Sequence, residues 1–392
     1  MHEPRPVIAA ARRTVFGKYR GGLSATRPDD LLGMALAELR DAAPHLDPAL
    51  IDDVIMGDAN GAGEDNRNVA RMGALLAGLP VSVPGVTLNR LCGSGAEAMV
   101  QAARAVRAGD MDVVVAGGVE VMSRAPYVLP KSDVTLDPKV RLEQTTVGWR
   151  MVNPAFPSHW TDSLGECAQR SAQDRGIDRA AQDEWSARSH ELANAAWAAG
   201  LQDDFTFAVA DVKRDESIRP DTTVSRLAEL RPAFTPDGTV TAGNSSPIND
   251  GAVAALITNP TFADRFELEP LGTIVASSVV AVEPDEFAKA PVPAMHKLLA
   301  RTGLTFDDID LFEINEAFAA MVLTVLHDEP RIAVDKVNVH GGAIAIGHPV
   351  GASAARVVVD AARHLKRRGG GRAIATACIG VGLGIAVLVE VP

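Results

Sequence analysis

The sequence predicts an α/β protein, and three observations carry that prediction. Helical and buried-strand patterns alternate from the N-terminus onward. A glycine-rich turn, then a helix, then a strand occurs once in each half of the chain. Apolar residues make up 47% of the chain and aromatics only 4%, so the interior is built from aliphatic side chains and alanine. At roughly 100–200 residues per domain, 392 residues give two or three domains with a sizeable core.

The first helix is marked by Leu31, Leu32, Ala35, Leu36 and Leu39 at helical spacing, and 52–56 reads as a short strand ending at Gly57. A second helical face, Ala96, Met99, Val100, Ala103 and Val106, stops near Gly109. The strand run 113–116 follows, and Gly117-Gly118 are expected to end it. Residues 163–200 carry an alanine-rich, charge-interleaved helical pattern, while 209–236 is polar with Pro220, Pro232 and Pro236. The stretch from about 120 to 245 therefore reads as an inserted lobe.

A linker is expected at 258–272, where Pro260 and Pro270 flank a charged stretch. It divides an N-terminal half, 1–265, from a C-terminal half, 272–392. In the second half 311–314 reads as a strand, and Ala352, Ala355, Val358, Val359, Ala362 and Leu365 form a helical face. Lys366-Arg367-Arg368 and three glycines stop that helix, and 373–377 reads as a buried strand. The repeated order suggests internal duplication.

A net charge of −12 repels nucleic acid and acidic membrane surfaces at long range, so a small anion needs a local basic pocket. Cys92, Cys167 and Cys378 are too few and too dispersed for a disulfide framework or a zinc site, and an odd count fits a reduced compartment, expected to be the cytoplasm. The apolar stretch 7–11 is too short for a signal core or a membrane span. No metal-binding pairing and no Walker sequence is present.

Asn89-Arg90-Leu91-Cys92-Gly93-Ser94-Gly95 places a thiol at a glycine-rich turn that opens a helix. Backbone N–H groups and the helix dipole there are expected to lower the thiol pKa, as a nucleophile requires. An inert core cysteine is the other reading. Gly93, Gly95 and Ala98 also satisfy the dinucleotide fingerprint, with Asp112 near the acidic offset, but Asp112 precedes its strand instead of closing it.

His348 lies at the mouth of the second helix among Gly341, Gly342, Gly347 and Gly351, which let backbone approach a ligand. Cys378-Ile379-Gly380 follows a buried strand. Asn315-Glu316-Ala317-Phe318-Ala319 sets an amide and a carboxylate at another strand end, with Glu316 equally readable as a helix-start charge.

Together with Gly117-Gly118-Val119-Glu120-Val121-Met122-Ser123 and the segment 243–251, these motifs resemble the thiolase family of acyl-CoA acetyltransferases across nearly the whole chain. The resemblance implies a duplicated five-layer αβαβα fold with an inserted loop domain that holds coenzyme A. It implies no permanently bound cofactor, CoA and acyl-CoA as substrates, and a homodimer or homotetramer. Neither nucleic acid nor membrane is an expected partner.

By the same resemblance Cys92 accepts the acyl group, His348 activates it, and Cys378 is the second acid/base. Cys92 would attack the 3-keto carbon, and Cys378 would protonate the departing acetyl-CoA enolate. His348 with a water held by Asn315 would form one oxyanion hole, and the N–H groups of Cys92 and Gly380 the other. Ser246 and Phe318 match positions that line the pantetheine, and Arg219 one that packs on the adenine.

The chain departs from the family at Ala290, His340, Ala354 and Leu383, and it lacks a usual Met-Gly pair before Glu166, where Thr161-Asp162-Ser163-Leu164-Gly165 stands. Segments 62–72, 145–154 and 219–223 look most like the 3-oxoadipyl-CoA thiolases of aromatic catabolism. An acetoacetyl-CoA thiolase is the alternative, and a non-catalytic acyl-CoA carrier the alternative of another class. For a substrate ending in a carboxylate, Arg150 and Lys289 are the candidate partners.

Overall fold

The computed structural model describes residues 5–392 apart from 133, 136 and 137. The first half runs β1 (Val7–Thr14), α1 (Pro28–Asp41), β2 (Asp53–Gly57), α2 (Val69–Leu76), β3 (Gly85–Leu88), α3 (Ser94–Ala108) and β4 (Val113–Val121). A long segment holding α4 (Leu164–Asp174) and α5 (Arg179–Ala198) follows before β5 (Asn249–Thr258) returns beside β4. The second half runs β6 (Gly272–Ala281), α6 (Pro291–Thr302), β7 (Leu311–Ile314), α7 (Ala319–Asp328), α8 (Val350–Arg368), β8 (Gly371–Ile379) and β9 (Leu383–Val391).

The strand order is β3-β2-β4-β5-β1 in the first half and β7-β8-β9-β6 in the second, joined where Val7 and Ile8 pair with Thr273 and Gly272. In the first half β3, β2 and β4 are parallel, and β5 and β1 continue antiparallel. In the second, β7 and β8 are parallel, and β9 and β6 continue antiparallel. A parallel pairing of Phe312 with Val337 stands where β3 stands in the first half. The two halves repeat one order and one sense, which is the duplication the sequence suggests.

Helices α3 and α8 pack on each other between the two sets of strands, α1 and α2 cover one outer face, and α6 and α7 cover the other. These are the five layers. The central layer explains why α8 is buried on all sides from Gly351 to Leu365. Its charged residues are buried too, and they are paired: Arg356 with Asp360 at 2.7 Å, Arg363 with Asp360 at 2.9 Å, and His364 Nδ1 with Glu313 at 2.9 Å.

Two sequence expectations need correction, and a third, the helical pattern 163–200, gains detail. Gly117 and Gly118 do not end a strand, since β4 runs through them to Val121. They are there because a Cβ at Gly117 would strike the Val253 carbonyl and one at Gly118 the Gly351 carbonyl, so β5 and α8 can close on β4 only over bare backbone. The stretch 258–272 is not a bare linker: it holds a short helix, Pro260–Arg265, capped by the Asn259 side chain accepting from Phe262 N at 3.0 Å. The helical pattern 163–200 is two helices, parted near Gly176 at φ +64°.

Candidate active site

Cys92 sits in a single tight turn, Leu91–Gly93, that opens α3. Leu91 is held in the left-handed region at φ +48°, a conformation a bulky side chain adopts only when its surroundings fix it. They do so through hydrogen bonds. Asn89 Oδ1 accepts from Leu91 N at 2.8 Å, and Ser94 Oγ donates to the Leu91 carbonyl at 2.7 Å while accepting from Arg90 N at 2.8 Å. The turn aims the thiol toward the hairpin that joins β8 to β9, where the Gly380 N–H faces it, as does the N–H of Cys92 itself.

The thiol is nevertheless not acidified. Burial pushes the Cys92 pKa up, with the Glu120 charge acting in the same direction, and the two N–H groups offset only part of this. The expected lowering fails because the turn is closed to water. Cys378, one residue from the end of β8 and 1% exposed, is pushed well above its usual value by burial and by the neighbouring Cys92. Gly380 leaves room beside this pair, since a Cβ there would meet only Leu91 at 3.4 Å and Leu164 at 3.9 Å or more.

His348 and Asn315 form the other side. Asn315, fully buried at the end of β7, brings Nδ2 to 3.4 Å from His348 Nε2. Ser353 Oγ donates to the Pro349 carbonyl at 2.8 Å, so it accepts from His348 Nδ1–H at 2.7 Å. That arrangement makes Nε2 the basic nitrogen, its lone pair met by the long contact from Asn315 Nδ2–H. Burial and the Arg356 charge push the imidazole down to about 4. Thiol and imidazole are therefore both neutral at rest.

The structure brings Cys92 together with Gly380 and Cys378, and Asn315 together with His348. Ser246 and Phe318 adjoin Asn315: Ser246 N donates to the Ala317 carbonyl at 2.9 Å, and the Phe318 ring contacts Phe234 and Phe287. Arg219 stands apart on the surface, its N–H donating to His190 Nδ1 at 3.2 Å. Glu316 is not a helix-start charge. It is fully buried and accepts from Trp185 Nε1, Ser189 Oγ, Asn338 Nδ2 and Ile344 N, tying α5 to both loops.

Asp112 lies at the start of β4, the end opposite Glu120, with its carbonyl accepting from Thr258 Oγ1; the dinucleotide reading fails on this placement. Among the described residues no group of three His, Cys, Asp or Glu can hold a metal ion, and no helix is long and apolar enough to cross a membrane. Arg150 is half-buried and has no ion-pair partner among the described residues, whereas Lys289 Nζ lies 2.5 Å from Glu286.

Sequence reasoning missed Asn249 and Asp58, and gave no role to Ser353 or Glu120. Asn249 Oδ1 accepts from His348 N at 3.0 Å. Asp58 is 2% exposed, faced by the Asn60 and Gly61 N–H groups and by the Glu120 carboxyl group. Asn249 falls within the 243–251 segment, but no local pattern gives either residue a role.

Burial and the Asp65 charge push Asp58 up to about 7. The folded protein then keeps this proton to about pH 7, whereas the unfolded chain releases it near about pH 4, so wild-type stability falls as pH rises across that window. Asp58→Asn is expected to unfold a few degrees above wild type at pH 8, with the gain shrinking toward pH 5. Thermal unfolding at both pH values checks this, and a gain independent of pH contradicts it.

Residues 6–261 match the thiolase N-terminal domain and 268–391 the thiolase C-terminal domain. The chain is 45% identical to the beta-ketoadipyl-CoA thiolase of Acinetobacter baylyi, covering 98% of each chain. It is 42% identical to the acetyl-CoA acetyltransferase of Chromobacterium violaceum, covering 98% of this chain and 99% of that one. Human mitochondrial 3-ketoacyl-CoA thiolase, solved in complex with CoA, superimposes with a TM-score of 0.91 at 34% identity, covering 99% of this chain and 98% of that one.

Proposed function

Because this chain belongs to the thiolase family, an acyltransferase family, we propose that it cleaves 3-oxoadipyl-CoA with free CoA, giving acetyl-CoA and a shortened dicarboxylic acyl-CoA. The observation that carries the substrate is the full-length 45% identity to a beta-ketoadipyl-CoA thiolase.

In this reading His348 Nε2 takes the Cys92 proton as the sulfur attacks the 3-keto carbon. The developing oxyanion is met by one of two sets of donors, the N–H groups of Cys92 and Gly380 or His348 with a water on Asn315. Asn315 Oδ1 is buried without a protein hydrogen-bond partner, as an acceptor for such a water requires. As the bond between the α- and β-carbons breaks, Cys378 protonates the acetyl-CoA enolate. Its raised pKa suits it to arrive at that step as a neutral acid. Free CoA then takes the acyl group from Cys92, and the same steps reversed make the carbon–carbon bond.

Ser246 and Phe318 line the pantetheine of CoA, and Arg219 meets its adenine. Two copies of the chain pair through β3, which closes the sheet at an edge with Val86, Val81 and Leu76 exposed around it; a tetramer is a pair of such dimers. The working compartment is the cytoplasm, where the three free thiols stay reduced.

The distal carboxylate of 3-oxoadipyl-CoA needs a cation, since a buried unpaired charge is costly. Arg150 fits that need better than Lys289, whose charge Glu286 already meets. An aromatic chain ties its segment to the catalytic hairpin. Trp149 contacts Phe156, Phe156 contacts Trp160, and Trp160 Nε1 donates to Glu283 at 3.1 Å. Val282, beside Glu283, donates its N–H to the Gly382 carbonyl at 2.7 Å.

Arg150→Met is expected to lower kcat/KM for 3-oxoadipyl-CoA by about one to three decades and to leave acetoacetyl-CoA nearly unchanged. Thiolysis assays with both substrates test this. Equal losses on the two would remove Arg150 from recognition. The identity to an acetyl-CoA acetyltransferase supports a second reading, acetoacetyl-CoA cleavage, and a wild-type preference for acetoacetyl-CoA would favour it.

A further inference from the structure

We propose that Glu120 is the positioning residue that sets the nucleophile's loop against the base's loop, a single carboxylate oxygen joining the two. The proposal rests on the reading of Cys92 as nucleophile and His348 as base. Glu120 is 4% exposed, near the end of β4. Its Oε2 accepts from Ala59 N at 3.0 Å and from Gly351 N at 2.9 Å.

The first bond leads to the thiol. The Ala59 carbonyl accepts from Asn89 Nδ2 at 2.8 Å, and Asn89 Oδ1 accepts from Leu91 N at 2.8 Å, the residue whose left-handed backbone turns Cys92 inward. The second bond leads to the imidazole. Gly351 lies in the first turn of α8, three residues beyond His348 and two before Ser353, whose hydroxyl accepts from Nδ1–H. Cys92 belongs to the first half of the duplicated fold and His348 to the second, so their relative placement depends on how the halves are joined at the site. The Glu120 oxygen joins them there by two hydrogen bonds.

The chemistry suits a carboxylate. A helix N-terminus offers unpaired N–H groups and a favourable dipole for a negative charge. The groups facing Glu120 are otherwise acidic or neutral: Asp58 from the end of β2, Asp65 from the loop after it, and the Cys92 thiol. Burial raises both Asp58 and Glu120, and one proton shared between their carboxyl groups lets the two buried acids lie side by side with a single charge.

The test is the single-turnover rate at which Cys92 is acylated by acetyl-CoA, measured with KM for CoA in the complete enzyme. Glu120→Leu is expected to acylate about a hundredfold more slowly, the scale of a displacement near 1 Å between reacting groups. Glu120→Gln keeps an oxygen for both N–H groups and gives its amide proton to Asp58, so it should stay within about threefold of wild type. Asn89→Ala, at an exposed position, cuts the chain at its other end and, in the folded variant, should acylate about tenfold more slowly. KM for CoA should stay within about twofold of wild type throughout, because the CoA-binding residues lie outside these bonds.

Wild-type acylation rates in Asn89→Ala, or in folded Glu120→Leu, would overturn the proposal even with the nucleophile confirmed. So would Glu120→Gln failing as badly as Glu120→Leu. A wild-type enzyme that does not acylate Cys92 at all would instead sink the reading of the site, and this proposal with it.

Discussion

The Cys378→Ala enzyme is expected to load an acyl group onto Cys92 at close to the wild-type rate, yet to exchange the α-protons of acetyl-CoA with solvent deuterium no faster than background. The expectation follows from the division of labour between two thiols that the hairpin after β8 brings together. Cys92 meets the Gly380 N–H and neighbours Cys378; in the proposed mechanism Cys92 acts on the carbonyl carbon and Cys378 on the proton of the neighbouring carbon. Removing an acid/base group costs about two to four decades in the step it serves, and exchange serves only the enolate step. NMR of acetyl-CoA in deuterated buffer reads the outcome. Undiminished exchange would remove Cys378 from the mechanism.

His348→Ala should slow acylation of Cys92 by about two to four decades, because the buried thiol then has no base to receive its proton. The wild-type pH profile of the same half-reaction carries a second signature. Burial and Arg356 push the imidazole down to about 4. The base is therefore uncharged down to that pH, and activity should be half lost near pH 4 and not near the usual histidine value, about 6.5. Acetyl-CoA as acyl donor keeps the ionisation of free CoA out of the measurement. A midpoint near 6.5 would mean that the imidazole is solvated and that the closed site described here is wrong.

How much of this was legible in the sequence depends on the distance over which each residue acts. The helices α1, α3 and α8 and the strands β2, β4, β7 and β8 followed from local patterns, and the duplicated order from their repetition, whereas β1, β5, β6 and β9 were not read. Cys92, Asn315, His348 and Cys378 stood out because each lies beside a glycine-rich turn or a strand end. Residues that act across the chain did not stand out. Asn249 reaches His348 from 99 positions away, and Glu120 reaches Gly351 from 231, and no local spacing marks such partners.

Burial was misjudged for the same reason. The apolar face read from Ala352 to Leu365 is only part of what α8 buries: Arg356, Asp360 and Arg363 are covered too, and their charges satisfy one another. The Cys92 turn offered N–H groups that favour a thiolate, but only the folded chain reveals how completely water is excluded and how close Glu120 lies. Gly117 and Gly118 read as a strand stop and turned out to be the place where three backbone segments converge.

The central claim is that chemistry passes through an acyl group on Cys92. Wild-type enzyme mixed with 3-oxoadipyl-CoA in the absence of free CoA, quenched in acid and digested, should yield the peptide containing Cys92 heavier by the shortened dicarboxylic acyl group, with Cys167 and Cys378 unmodified. The adduct should vanish on addition of free CoA. An acyl group found on Cys167 or Cys378 instead, or none on any thiol while cleavage proceeds, would contradict the account.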